Sequence, residues 1–255
     1  MRASVPMSPR ERRLALAAAS ALGLMLTVVV AAAGIRLEIG FPGLRVLHRV
    51  VASLEVLAVL WLAWMAWRTR AERPGVFGAA LLAIGLTAFL ALVGIAAGQK
   101  PQPAGAAANL LGGLALATLF AWILGKAGEK WGQTPSSRRS PECSRKGSDP
   151  IFLLIGALMA IQLALGARLT IAERFSPALP VHALLAMVLA ALLAWFALTH
   201  MRGAAGKALF ALALAAPIAG FTALHYEWSA CAALVHAAAA ALLLVSTAYG
   251  LGRVA

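Results

Sequence analysis

The sequence predicts an all-α polytopic membrane protein with eight transmembrane helices. Of its 255 residues, 62% are hydrophobic and only 12% are charged, which is typical of integral membrane proteins. Its uncharged runs are mostly long enough to cross a bilayer, which takes about 20 apolar residues. These runs are continuously apolar rather than alternating, which excludes a transmembrane β-barrel.

The apolar runs give the eight predicted spans directly, because charged or proline-containing connections separate them. They cover residues 14–34, 48–67, 74–99, 101–125, 150–167, 175–199, 208–224 and 228–252. The first 13 residues are basic and precede a 21-residue apolar run. This run is longer than the core of a cleaved signal peptide, so we interpret it as a retained first span.

The distribution of Lys and Arg predicts the orientation of the protein. With the N-terminus in the cytoplasm, 16 of the 22 Lys and Arg residues fall in inner segments. Both termini are then cytoplasmic, in a bacterial-type inner membrane. The net charge of +13 is largely explained by these loops, so we expect no nucleic-acid partner. Cys143 and Cys231 form neither a disulfide framework nor a metal-ligand set.

An internal repeat divides the chain into two four-helix halves of parallel orientation. The motif G-x-R-L ends the first and fifth spans, at residues 34–37 and 166–169. His48 follows the first motif by fourteen residues from its glycine, and His182 follows the second by sixteen. Self-similarity at this distance predicts a tandem repeat of one four-helix unit.

The second helix pair of each half repeats the same layout. Asn109 lies fifteen residues after Gly94, and His236 lies sixteen after Gly220. We therefore predict an N-terminal half over residues 1–126 and a C-terminal half over 150–255. The Ser-, Pro- and Arg-rich segment 127–149 is interpreted as a flexible cytoplasmic linker.

Polar residues at one depth mark the candidate site, near the outer starts of the even-numbered spans: His48, Asn109, His182 and His236. Two imidazoles that face each other in an apolar bundle are suitable axial ligands for haem iron. Arg36 and Arg168, at the same membrane boundary, are suited to pair with haem propionates. The alternative for each histidine is an interfacial side chain bonded to a neighbouring backbone.

Four other polar residues lie within or beside the spans, and more than one role is open for some of them. Glu55 lies two turns deeper than His48 on the same helix face, as either a proton relay or a partner of a polar neighbour. Gln162 is placed to hydrogen-bond across helices. We interpret His200 as a solvated helix end, and His225 as part of an interfacial belt or as a residue over a haem edge.

This layout resembles the haem A synthase family over nearly the whole chain, with GIRL, HRVVA and PVHALLAMVLAALL as its strongest local matches. The resemblance implies haem b between His182 and His236 in the C-terminal half. It also implies that the N-terminal half binds haem O as substrate and oxidises a ring methyl to a formyl group. His48 matches the first histidine that the family uses there.

The N-terminal half departs from the family pattern. Arg45 stands where the family has a glutamate, and Asn109 replaces the second histidine. Residues 35–47 contain no cysteine, whereas many members have a cysteine pair in this loop. Glu38 and Glu55 are the available substitutes for the missing acid, although their spacing differs.

Three classes of function follow from these residues. The first is a haem A synthase-like oxidoreductase in cytochrome oxidase assembly, with iron ligated by His182, His236 and His48 and with His48 and Glu55 as catalytic residues. Its partners would be a haem O-supplying membrane enzyme, the oxidase assembly machinery and the lipid bilayer, and a homo-oligomer remains open. The second is a non-catalytic b-type haem protein, either an electron carrier or an assembly factor. The third is a transporter or channel without a cofactor.

Overall fold

The computed structural model describes residues 8–37, 41–97, 103–128, 150–169, 178–201, 203–226 and 229–254. Over these residues the fold consists of eight α-helices and no strand, which confirms the all-α prediction. The helices are α1 (Pro9–Arg36), α2 (Leu44–Arg68), α3 (Pro74–Ala97), α4 (Pro103–Ala127), α5 (Pro150–Leu169), α6 (Ala178–His200), α7 (Ala204–His225) and α8 (Ala230–Val254).

Seven of the helices are long and apolar enough to span a membrane, which indicates an integral membrane protein. In α5 the corresponding apolar stretch is shorter, Leu154–Gly166. Most of the predicted linker, residues 129–149 with Cys143, lies outside the described residues, as does Glu38, whereas Ala127 belongs to α4.

Several helices extend past the uncharged runs from which they were predicted. The first helix begins at Pro9 because the Ser8 side chain accepts from the Glu11 backbone and Glu11 accepts from the Ser8 backbone. This capping box satisfies backbone donors that the apolar run cannot satisfy. The second helix begins at Leu44, so Arg45 and Arg49 lie within it and are exposed. Charged residues end an apolar run, but they do not end a helix.

The four helices of the N-terminal half form a closed ring. Helix α1 packs against α2 and α4, and α3 packs against the same two helices. Their core contains Leu14, Leu62 and Phe120, each with no solvent-exposed surface. The C-terminal helices form an open arc instead, in which α6 contacts α5 and α7, and α7 contacts α8. Within the described residues, α5 and α8 lack the packing that joins α1 to α4.

Helices α4 and α8 join the two halves through a contact between their backbones. A Cβ atom on Gly125 would lie 2.5 Å from the Tyr249 carbonyl oxygen. A Cβ atom on Gly252 would lie 2.5 Å from the Trp122 carbonyl oxygen. Only glycine permits this approach, which is typical of close helix packing in membranes.

Arg73 ties together three elements at the end of the bundle where α1 begins and α8 ends. It lies in the connection between α2 and α3, and its Nη2 atom is 2.8 Å from Glu11 Oε1 on α1. Its Nη1 atom donates to the Lys126 carbonyl oxygen at the end of α4. Both side chains of the ion pair are largely buried, with 11% and 14% exposure, so solvent screens the pair only partly.

We expect Arg73→Ala to lower the free energy of unfolding by about 1–3 kcal/mol, because it leaves the Glu11 carboxylate and a helix-end carbonyl with fewer partners. Arg68→Ala is the matched control, since Arg68 is exposed at the nearby end of α2. Thermal unfolding of both variants in the same detergent measures the difference. Equal stability of the two variants would contradict this role for Arg73.

Candidate functional site

The polar residues predicted to share one depth all lie in the first two turns of their helices. His48 and His182 are the fifth residues of α2 and α6, and Asn109 and His236 are the seventh residues of α4 and α8. The even-numbered helices all begin at the same end of the bundle, which we call the histidine end. The opposite end, which contains Pro9 and Arg253, is called the terminal end.

His182 and His236 face each other between α6 and α8. Their ring centroids are 6.5 Å apart and their planes are inclined by 84°. Both side chains are half-buried. His48 is not part of this pair. Its imidazole instead lies within hydrogen-bonding reach of the Val28 backbone of α1.

Each imidazole of the pair rests on a glycine of the preceding helix. A Cβ atom on Gly166 of α5 would lie 3.2 Å from Cε1 of His182. A Cβ atom on Gly220 of α7 would lie 3.0 Å from Cε1 of His236. The sixteen-residue spacing therefore has a physical basis, since each glycine provides the space that the ring of its histidine occupies.

Gln162 holds His182 at a second point. Its side-chain nitrogen donates to the His182 carbonyl oxygen at 3.1 Å and lies 3.3 Å from Nε2 of the same residue. The bond to the carbonyl requires the NH₂ end of the amide to lie here, so its second hydrogen points to Nε2 as an acceptor. The His182 proton then resides on Nδ1, which is buried without a hydrogen-bond partner in the described structure.

His236 is placed in the same way but with a different neighbour. Ala216, four residues before Gly220, occupies the position that Gln162 holds before Gly166. Its backbone lies within hydrogen-bonding reach of the His236 ring. The two ligand candidates therefore share a geometry but differ in polarity, with a side-chain amide beside His182 and a peptide carbonyl beside His236.

The distance between the two ring centres is compatible with a metal held between them, provided that a nitrogen of each ring faces it. Metal–nitrogen bonds of about 2 Å on either side of one metal separate two imidazole centres by about 6.3 Å. Helices α6 and α8 both pack on α7 and make little contact with each other within the described residues. No group of three or more His, Cys, Asp or Glu side chains that could bind a metal ion occurs in that part of the chain. Two imidazoles suit haem iron, whose other four ligands come from the porphyrin.

The two predicted propionate partners lie at the histidine end, on different halves. Arg36 is the last residue of α1, and Arg168 is the penultimate residue of α5. Arg168 is exposed and lies two residues beyond Gly166, on the helix that positions His182. Arg36 is half-buried in the N-terminal half. Of the two, Arg168 is placed closer in sequence to the histidine pair.

The N-terminal half lacks an equivalent histidine pair. Asn109 is half-buried on α4, and no atom of the described residues lies within 4 Å of a Cβ position on Gly94. Here α4 approaches α1 closely, since a Cβ atom on Gly113 would lie 3.0 Å from Cε of Met25. His48 nevertheless has a buried Nδ1 atom without a hydrogen-bond partner among the described residues.

The remaining site candidates fall into buried and exposed groups. Glu55 is 4% exposed, and its Oε1 atom has no hydrogen-bond partner among the described residues. Arg45 is exposed near the start of α2, and His225 is exposed at the end of α7. His200 stacks on Phe196 with a centroid distance of 5.2 Å, at the terminal end of α6. The predicted depth of Glu55, two turns below His48, agrees with its place in α2.

Sequence reasoning identified the two histidines and their glycines, but it did not connect Gln162 to His182. A signal was present in the spacing. The set Gln162, Gly166 and His182 is displaced by 54 residues from Ala216, Gly220 and His236. Only the structure explains this spacing, because it shows which helix face each ring touches.

Comparison with known proteins adds no assignment. No protein-family model matches this chain, and no curated protein is significantly similar to it. The resemblance to haem A synthase therefore remains a hypothesis based on the layout of the helices and histidines.

We expect Gly220→Ala and Gly166→Ala each to have a free energy of unfolding about 1–2 kcal/mol below that of Gly94→Ala, because the added methyl group would lie 3.0–3.2 Å from an imidazole carbon, which must then move. Gly94→Ala is the matched control at the corresponding position of the other half. It should be neutral or stabilising by about 0.5–1 kcal/mol, since alanine favours the helix and meets no neighbour. Thermal unfolding in detergent measures all three, and equal effects would refute the close glycine–histidine packing.

Proposed function

We propose that the protein is a membrane haem protein whose C-terminal half binds haem b between His182 and His236. The observation that carries this proposal is the pair of imidazoles with centroids 6.5 Å apart in an apolar bundle. That spacing agrees with one metal bound by both rings, and the donor type is the one that haem iron uses in bis-histidine proteins. A bound haem would supply one-electron chemistry at this depth of the membrane.

The residues around the pair would prepare it for this ligand. Gln162 donates to the carbonyl oxygen and to Nε2 of His182, which fixes the orientation of the ring. Because this hydrogen bond occupies the Nε2 lone pair, iron binding through Nε2 would require the amide hydrogen to turn away from that nitrogen. Gly166 and Gly220 determine how far the two rings stand from α5 and α7. Arg168, and Arg36 from the other half, would neutralise propionates at the histidine end.

We further propose that the two halves are copies of one four-helix unit. The reciprocal contact between α4 and α8 supports this, because Gly125 and Gly252 are 127 positions apart, as are Trp122 and Tyr249. Gly125 contacts the Tyr249 carbonyl oxygen, and Gly252 contacts the Trp122 carbonyl oxygen. A pseudo-two-fold axis that relates the two halves produces such a reciprocal pair of contacts. Asn109 and His236 are related by the same 127 positions. The N-terminal half would thus be a second unit whose ligand position has changed.

A second candidate function is haem A synthase-like oxidation of haem O in that N-terminal half. The Nδ1 atom of His48 favours this candidate. It is buried at the histidine end without a hydrogen-bond partner among the described residues, so it is available to a ligand. His48 would bind the iron of the substrate, and Glu55 would be the acid on the same helix face. Asn109 cannot provide a comparable second iron ligand, so His48 alone of these two residues would hold the iron. This activity would place the protein beside a haem O-supplying enzyme and the oxidase assembly machinery.

We place the terminal end in the cytoplasm of a bacterial-type inner membrane. The described part of that end carries Arg10, Arg12, Arg13, Arg68, Arg70, Arg73, Lys126, Lys207 and Arg253. The described part of the histidine end carries Arg36, Arg45, Arg49 and Arg168. This bias in basic residues supports cytoplasmic termini and a haem close to the outer surface.

Purified protein from haem-sufficient cells is expected to show a low-spin bis-histidine absorption spectrum. His182→Ala and His236→Ala should each abolish it, because one imidazole cannot complete the axial pair. His225→Ala is the matched control, since His225 is exposed at the same end of the bundle. A colourless wild-type protein, or a spectrum that both site variants retain, would refute the haem b proposal.

Co-expression with a source of haem O tests the synthase candidate. Pigment extracted from these cells should contain haem A with the wild-type protein, and at least about tenfold less with His48→Ala. The His48→Ala protein should keep its haem b spectrum, because His48 lies outside the histidine pair. Haem A formation that survives this substitution, or none with the wild type, would leave the haem b proposal standing and exclude catalysis by His48.

A further inference from the structure

Glu55 lies in the middle of α2 with its carboxyl group buried. Eleven residues separate it from the start of the helix at Leu44, and thirteen from the end at Arg68. It is only 4% exposed, and its Oε1 atom has no hydrogen-bond partner within the described structure. A buried carboxyl oxygen without a protein partner is satisfied by a bound proton, a water molecule or another ligand.

The helices packed against α2 provide no positive charge for this carboxyl group. Helix α1 has no ionisable residue between Arg13 and Arg36, and α3 has none between Arg73 and its end at Ala97. On α2 itself, the nearest ionisable residues are His48 and the exposed Arg49, about two turns away. An ionised carboxylate at this depth would be both desolvated and unpaired, whereas a carboxyl group that carries a proton is tolerated.

The surroundings of Glu55 differ toward the two ends of the bundle. Toward the terminal end, the same face of α2 continues with Val59 and Leu62, which are 2% and 0% exposed in the closed core. Toward the histidine end it continues with Val51 and then with His48, which is half-buried. A groove of about 380 Å³ opens beside this first part of α2, and Leu44 and Leu47 contribute to its wall.

We propose that Glu55 is a proton-binding site inside the membrane, loaded from the histidine end along the first turns of α2. The ligand is a single proton, which the carboxylate takes from water to become a neutral carboxyl group and returns by the same route. No electron transfer accompanies this step. About 10 Å of helix separates Glu55 from His48, so water must carry the proton over that distance. The proposal is independent of haem binding by the other half.

Labelling of the full-length protein in lipid nanodiscs with dicyclohexylcarbodiimide tests the site. This apolar reagent modifies carboxyl groups that carry a proton in an apolar environment. Glu72 is the reference carboxyl group, because it is exposed in the connection after α2. Peptide mass spectrometry should find Glu55 labelled at least about tenfold more than Glu72, and Glu55→Gln should remove that label.

The label on Glu55 should decrease as the pH is raised, because the reagent requires the proton. The proposal would be overturned if a folded protein carried no dicyclohexylcarbodiimide label on Glu55. It would also be overturned if a water-soluble carbodiimide labelled Glu55 as strongly as Glu72. The haem b spectrum is recorded on the wild-type protein alone, without regard to the labelling of Glu55, so failure here is distinguishable from failure of the haem b proposal.

Cysteine accessibility tests the direction of access. Glu55→Cys and Val59→Cys, each made after Cys143 and Cys231 are replaced by serine, place a thiol on the same helix face one turn apart. A membrane-impermeant thiol reagent should modify the residue-55 variant from the histidine end at least about tenfold faster than the residue-59 variant. Equal rates, or faster modification from the terminal end, would exclude the proposed route.

Discussion

A buried imidazole needs both space and a polar neighbour, and this requirement shapes the C-terminal half. Space comes from Gly166 and Gly220, whose missing side chains let the two rings lie against α5 and α7. Polar neighbours come from the Gln162 amide and the Ala216 backbone. With both conditions met, two histidines face each other with ring centroids 6.5 Å apart, although their helices make little contact within the described residues.

The two halves share one helix layout but differ in how their helices pack. In the C-terminal half, the arc from α5 to α8 stays open, and its two histidines meet. In the N-terminal half, α1 packs on α4 through Gly113 and closes the ring.

Polar groups in an apolar bundle are costly, so each one in this chain invites an explanation. Gln162 is accounted for by His182, and Arg73 is accounted for by Glu11 and the end of α4. Glu55 is different, because neither its own helix nor the adjacent ones offer a cation at its depth. Its carboxyl group is buried, and its Oε1 atom has no hydrogen-bond partner among the described residues.

The sequence by itself determined the all-α class, the number and order of the helices and the depth of their histidines. Continuous apolar runs and charges at their ends are sufficient for this, because lipid requires each span to satisfy its own backbone. It did not determine where α1 and α2 begin, since the Ser8–Glu11 cap and the exposed Arg45 lie outside the apolar runs. Only the tertiary structure decided that His182 meets His236 while His48 turns to α1, and that Gln162 holds one ring. Those outcomes depend on which face each helix presents to its neighbours, and in a chain so rich in alanine and leucine every face is apolar.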